Sequence, residues 1–315
     1  MADYAAEKLS MRDWFWKGVY DEATRDERVV IITADMGAPG LDIFKLRFPA
    51  RYINVGVAEQ QAILAACGLA REGFIPFVYA IMPFITYRCY EQIKTVAGLM
   101  NIPINIVGFG SGFSNGDVGP THHSLEDLAI MNMVPHLTIF NCSSGTMAEQ
   151  VAHHCVQHRN KLKYIRLDRE PVVNPINKEH QDIPDTTFAK GFIKYHKGDG
   201  KKTLITTGNM IHSIIPPAIL SPVGVIEVFR IPFDREALLT ELDITGQVFV
   251  LEENSTEGGL GDIIRRTLAG TGIPVLTKGV EVKHSGYAYI YGGRREIHKH
   301  YHLTTEDIVE WLSMG

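Results

Sequence analysis

Residues 54–70 read "NVGVAEQQAILAACGLA", and this stretch decides the fold. One acid, Glu59, opens a run that is otherwise small and apolar. An ordinary surface helix spreads several charges over a wet face. Here a single carboxylate heads a segment built for burial. Gly56 precedes it, and Ala58, Ala62, Ala65, Ala66 and Gly68 keep the helix thin. A thin helix lets another backbone or a flat ligand approach closely. An acid in the first turn gains from the helix dipole and from N–H groups that have no partner. A plain surface acid at a helix start fits the same local pattern.

The flanking sequence alternates between two periods. Short apolar runs predict strands at 29–33 ("VVIIT"), 51–55, 75–80, 104–108, 138–141 and 164–167. Runs of this kind belong to strands buried on both faces. Helices are predicted at 11–24, 87–99, 146–157 and from Ser124, with Ser124 as its own cap. Strands alternating with helices imply a mainly parallel sheet covered on both sides. A Pro-, Asn- and charge-rich stretch follows Arg169, "REPVVNPINKEHQDIP", and has linker composition. A second alternating series predicts strands at 203–207, 223–228, 247–252 and 274–277, with helices at 234–242, 260–269 and 305–311. The expected organisation is a first α/β domain over 1–178, a linker over 179–190 and a second α/β domain over 191–315.

Composition narrows the functions. The chain has 315 residues, 45% hydrophobic and 21% charged, with a formal net charge of -5. No basic stripe interleaved with aromatics is present, so nucleic acid is not an expected partner. No apolar run reaches the ~18 residues of a membrane span. The charged start "MADYAAEKLSMRDW" is unlike a signal peptide. Cys67, Cys89, Cys142 and Cys155 are far apart, which predicts reduced thiols in a cytoplasmic protein.

Four motifs then occur in order: "ITADMG", "RYINVGVAEQQAILAACGLAREG", "FITYRCYEQIK" and "GDVGPTHHSLEDLAIM". Together they resemble the pyrimidine-binding domain of the transketolase family of thiamine diphosphate enzymes. "GVIEVFRIPFD" and "VFVLEENSTEGGLGDII" resemble that family's smaller C-terminal domain. The resemblance covers essentially the whole chain. It implies an α/β thiamine diphosphate-binding fold and transfer of a two-carbon ketol unit between a ketose and an aldose.

The resemblance also assigns residues. Glu59 matches the acid that hydrogen-bonds N1′ of the cofactor aminopyrimidine, favouring its imino form as the base for the thiazolium C2 proton. Its expected partner is then a cofactor nitrogen rather than a lysine. Phe84, with Tyr87 as runner-up, matches the ring that stacks on the pyrimidine; core packing is the other reading of these rings, and of Tyr90 above all. Arg88, among them, is expected at the cofactor as well, and Asp35 resembles a family acid near the cofactor. His122 matches a histidine facing substrate oxygens, able to polarise a carbonyl or move a proton. His123, adjacent, is expected to join it in binding substrate, with a surface position as its alternative. Two neighbouring histidines without a third ligand make a poor metal site. Arg12 and Arg169 match sugar-phosphate contacts, a task suited to forked guanidinium hydrogen bonds. A solvated helix face serves equally for Arg12.

Two departures bear on substrate. The family aspartate before Gly-Pro-Thr-His is replaced by Val118, with Asp117 one place earlier, and a second family histidine aligns with Gly110. Both changes strip polar contacts, so a substrate other than the usual pentose phosphates is expected. The diphosphate and Mg²⁺ half-site, a G-D-G motif followed by Asn, also has no convincing match. Gly198–Asp199–Gly200 lies in a charged, hairpin-like turn. The resemblance therefore implies a split enzyme: a partner N-terminal subunit would hold diphosphate and Mg²⁺, in an A₂B₂ assembly. The alternatives are a 2-oxo acid dehydrogenase β subunit, a 1-deoxyxylulose-5-phosphate synthase-like enzyme and a catalytically inactive regulatory subunit. The Gly119–Leu128 motif favours transketolase over the first.

Overall fold

The computed structural model describes residues 9–169, 183–214, 222–242 and 246–314. They fall into two compact units. The first holds 9–111 and 131–169; the second holds 112–130 and 183 onward. Residues 112–130, expected with the first domain, thus pack within the second unit.

In the first unit six strands run parallel: β1 Val29–Thr33, β2 Tyr52–Asn54, β3 Ile75–Ile81, β4 Asn105–Phe109, β5 Leu137–Asn141 and β6 Leu162–Leu167. Their order is β5-β6-β4-β3-β1-β2. Strands β1, β4 and β6 are buried along their whole length; the apolar run of β1 requires it, whereas β6 buries Lys163 and Arg166 as well. The unit's helices are α1 Met11–Ala23, α2 Pro39–Arg47, α3 Glu59–Arg71, α4 Met82–Thr86, α5 Tyr90–Gln92 and α7 Gly145–Gln157, while α6 Asp127–Met131 lies almost wholly in the second unit. Ser10 caps α1 by accepting the Asp13 N–H at 3.3 Å. Lys17 of α1 ties to Glu149 of α7 at 2.5 Å and to Asp21 at 3.2 Å.

Two expected helices start elsewhere. In place of a helix over 87–99 there is a turn, α5 Tyr90–Gln92 and a π-helical turn Ile93–Gly98, with the short helix α4 just before them. Pro83 opens α4, where a missing N–H costs nothing. Ser124 does not cap a helix. Its N–H donates to Gly112 O at 3.0 Å in an isolated antiparallel bridge. The helix α6 starts only at Asp127, Asp127–Met131.

The second unit carries β7 Phe192–His196, β8 Lys202–Thr206, β9 Gly224–Val228, a two-residue strand β10 Arg230–Ile231, β11 Gln247–Ser255 and β12 Val275–Val280. Five of them form a sheet in the order β12-β11-β8-β9-β7, parallel except for the antiparallel pair β7–β9. Because β7 pairs with β9, the Gly198–Gly200 connection is not a hairpin. It is still a tight turn: both glycines have positive φ, and a side chain at Gly198 would collide with the Gly224 backbone. A short helix, Asp185–Lys190, occupies part of the expected linker. Residues 170–182 of that stretch lie outside the described residues. The Glu252 carboxylate accepts the N–H groups of Leu260 at 2.7 Å and Gly261 at 2.8 Å, anchoring the helix Leu260–Thr267.

All four cysteines are buried and free. Burial pushes the Cys67 thiol up to about 11 and those of Cys89 and Cys155 up to about 12. No helix among the described residues is long and apolar enough to cross a membrane.

Candidate active site

The buried residues of α3 are Glu59, Ala62, Ile63, Ala66 and Cys67. They fall at i, i+3, i+4, i+7 and i+8, a single stripe turned inward. Glu59 is the first residue of that stripe, which is why one acid heads an apolar face. Its side chain is buried, the residue being 3% exposed. The N-cap residue of α3, Ala58, makes no side-chain capping bond, so the N–H groups of the first turn have no side-chain cap. Gly56, two residues before the N-cap, has φ +73° and nothing within 4 Å of an added Cβ. Glycine is required there by backbone conformation, not by close approach within this chain. Gly68 is likewise open.

Glu59 is not solitary. Arg88 Nη1 donates to Glu59 Oε2 at 2.7 Å. The same guanidinium lies 4.5 Å from the centroid of the Phe84 ring. Gln60 Nε2 donates to the Arg88 backbone carbonyl at 3.1 Å, and Cys89 Sγ approaches Phe84 O at 3.4 Å. Phe84 ends up half-buried, whereas Tyr87 is half-buried one turn on. Glu59, Arg88 and Phe84 therefore form one cluster through the Arg88 guanidinium. Glu59 Oε1 accepts no hydrogen bond among the described residues.

The other first-unit candidates gather at the carboxyl ends of the parallel strands, where ligands bind in such sheets. Asp35 follows β1, exposed, with φ +55°. Its N–H donates to Asn54 Oδ1 at 3.0 Å, and Asn54 Nδ2 donates back to Asp35 Oδ1 at 3.2 Å. Asn54 Oδ1 also accepts the Gly56 N–H at 2.9 Å. Sequence reasoning missed Asn54, although it opens the stretch that decided the fold. Arg12 is not on a solvated face. Its guanidinium lies 4.7 Å over the ring of Phe109, the last residue of β4, and its Nε is 3.5 Å from Asp13. Arg169 is exposed after β6. Its neighbour Asp168, also missed, is buried and accepts from Ser111 Oγ at 3.1 Å. The acid in "RLDREP" was the available signal.

The histidine loop belongs to the second unit. His122 is half-buried, with Nδ1 3.0 Å from Thr121 Oγ1, and burial holds it below the usual imidazole range. His123 is the deeply buried one, 1% exposed. Its ring packs edge-on to Phe113 and stacks near Tyr287, and neither ring nitrogen has a hydrogen-bond partner among the described residues. That excludes the surface position offered as its alternative. Asp117 and Val118 are exposed, and Gly119 has φ +100°. In the first unit, Gly110 has φ +95°, where a histidine would be strained. The backbone at this position is thus shaped for glycine.

Beneath His123, Glu253 is buried in a complete network. It accepts from the Phe113 N–H at 3.1 Å, from Arg294 Nε at 2.8 Å and Nη2 at 3.0 Å, and from His298 Nε2. Burial alone would raise its pKa. The Arg294 and His298 charges and hydrogen bonds outweigh burial and hold the carboxyl below its usual range.

Comparison with known proteins gives the family. The family "Transketolase, pyrimidine binding domain" matches residues 7–173. The chain is 29% identical to one of the subunits of the apulose-4-phosphate transketolase of Actinobacillus succinogenes, over 85% of each chain. It is 31% identical to the 6-deoxy-6-sulfo-D-fructose transketolase subunit SqwH of Clostridium sp. (strain MSTE9), over 87% of this chain and 84% of that one. It spans less than half, 46%, of a 1-deoxy-D-xylulose-5-phosphate synthase of Geobacter sulfurreducens that it also matches. Among solved structures it is similar to a split gene transketolase described as an inactive beta4 tetramer. The TM-score is 0.79, at 24% identity and 96% coverage of both chains, a likeness of fold. The chain belongs to the transketolase family and carries that family's pyrimidine-binding domain.

Proposed function

We propose that this chain is the cofactor-activating subunit of a split, thiamine diphosphate-dependent transketolase, moving a two-carbon ketol unit from a ketose to an aldose. The observation that carries this reading is Glu59: a buried carboxylate at the start of α3, with Oε1 unbonded among the described residues, joined through Arg88 to the ring of Phe84. A carboxyl group beside an aromatic face fits a flat heterocycle with ring nitrogens. When bound, the cofactor supplies a carbon nucleophile for chemistry next to a carbonyl.

This chain's residues then divide the work. Glu59 would hold the pyrimidine N1′, in a position where α3 fixes both its depth and its direction. Phe84, with Tyr87 behind it in the turn, would pack the ring, and Asp35 would face the cofactor side of the sheet edge. His122 would meet substrate oxygens. Held below the usual imidazole range by burial, it is neutral at pH 7 and can both accept and donate a hydrogen bond. His123, buried against Phe113, would support that loop more than touch substrate. Arg12 and Arg169 supply the cationic groups for a phosphate or similar anion, and Asp117 a polar contact from the loop.

A partner subunit would hold the diphosphate and Mg²⁺, since Gly198–Gly200 is a structural turn. An A₂B₂ assembly in the cytoplasm completes the reading. The substrate pair would lie outside the common pentose phosphates. Gly110 and Val118 reduce polar contacts, and both transketolase relatives named above act, by their names, on less usual sugars.

The test is reconstitution with the product of a neighbouring gene encoding G-D-G…N. Ketol transfer from a panel of ketose phosphates and sulfonates to aldoses should require both chains, thiamine diphosphate and Mg²⁺. Carbon dioxide release from pyruvate, with no ketol transfer, would refute the assignment and favour the synthase-like or dehydrogenase-like alternative.

A further inference from the structure

The contact between Arg88, Glu59 and Phe84 has a second meaning. A guanidinium is planar, carries N–H donors along its edge and offers a flat face for an aromatic ring. Arg88 uses both properties at once: Nη1 reaches the Glu59 carboxylate at 2.7 Å, and the guanidinium carbon lies 4.5 Å from the Phe84 ring centroid. An aminopyrimidine would need the same carboxylate and the same kind of ring contact.

We propose that Arg88 is a placeholder for the pyrimidine. It occupies the anchors Glu59 and Phe84 when the cofactor is absent, and its side chain must leave the face of Phe84 for the heterocycle to stack there. The inference rests on the assignment of Glu59 to the pyrimidine.

The surroundings suit such a role. Arg88 lies in the turn between α4 and α5, and its side chain is 43% exposed, so it has solvent into which to swing. Its backbone need not follow, because Gln60 Nε2 holds the Arg88 carbonyl at 3.1 Å. Glu59 cannot swing in the same way, being buried at the head of α3. With Arg88 in place the carboxylate keeps a cation beside it while no ligand is bound. The consequence is a reduction in apparent cofactor affinity, set by the fraction of molecules with Arg88 displaced. A partly exposed ion pair and a cation–π contact together correspond to about fivefold or more in binding.

Thiamine is the probe, because it carries the aminopyrimidine without the diphosphate that the partner subunit would hold. Its binding to the full chain is titrated by saturation-transfer NMR for wild type, Arg88→Leu, Glu59→Gln and the double variant. Arg88→Gln is a second version, should Arg88→Leu not fold. The expected result is about fivefold tighter binding in Arg88→Leu or Arg88→Gln, with the gain lost when Glu59→Gln is added. Unchanged or weaker binding on removing Arg88, with Glu59→Gln still weakening binding, overturns the placeholder and leaves the pyrimidine site standing. A gain that survives Glu59→Gln overturns both, since thiamine would then bind elsewhere.

Discussion

The side-chain oxygen of Asn54 accepts the backbone N–H of Asp35 at 3.0 Å. It accepts the Gly56 N–H as well, at 2.9 Å. Asp35 and Gly56 both have positive φ, +55° and +73°. One amide thus pins two left-handed residues, at the ends of neighbouring strands and just ahead of Glu59. Asn54→Ala should lower stability by about 1 kcal/mol, as expected for exposed hydrogen bonds. It should also speed amide hydrogen exchange at Asp35 and Gly56, while exchange within β1 stays protected. Exchange mass spectrometry checks this.

Gly112 has φ +55°, and an added Cβ would collide with the Glu253 carboxylate. Strain and overlap act together there, and the obstructing group is held on several sides by Phe113, Arg294 and His298. Gly112→Ala should cost about 2–4 kcal/mol. Gly68→Ala, in open space on α3, should be neutral or stabilising by up to about 1 kcal/mol. Urea denaturation of the two variants separates these cases.

Glu253 contributes a pH dependence with a defined sign. Its folded-state pKa lies below the unfolded value. The contribution is therefore full above the ordinary carboxylate range, about pH 4.3, and is lost as pH falls through the lower folded value. Glu253→Gln should flatten the acid limb of the stability profile below about pH 4.3. It should also cost about 3 kcal/mol at pH 7, because Arg294 loses its buried counter-charge.

His123 acts in a higher window. Burial lowers its folded pKa, with Glu253 opposing and His122 adding to the effect. The unfolded chain therefore takes up the proton first. Stability is full above about pH 6.5 and falls as the solution is acidified below it. His123→Phe replaces a ring whose nitrogens have no partners among the described residues with one that needs none. It should stabilise the protein by about 1 kcal/mol and reduce the slope of stability below about pH 6.5. Thermal denaturation across that range checks both.

Most of the strand positions were legible, because strands buried on both faces leave unbroken apolar runs such as "VVIIT". β6 was shortened because Lys163 reads as a solvated charge. In the structure its ammonium is buried and donates to the carbonyls of Cys155 at 3.3 Å and His158 at 2.7 Å. The break between α4 and α5 and the Gly112–Ser124 bridge depend on tertiary contacts that no local pattern encodes. Among the site residues, the burial of Glu59 agrees with its place in the apolar period, although the local pattern left a surface acid equally open. Its pairing with Arg88, 29 residues away, has no such local signal, nor does the depth of His123 relative to His122.

The central claim is that Glu59 activates a bound aminopyrimidine. Glu59→Gln keeps the shape and removes the acid. In the reconstituted two-subunit complex, saturated with thiamine diphosphate and Mg²⁺, the variant should lose about 100-fold or more in kcat for ketol transfer. Cofactor binding, read by calorimetry on the same complex, should persist. Turnover within about twofold of wild type, against the far larger loss expected for a missing catalytic acid, would contradict the claim.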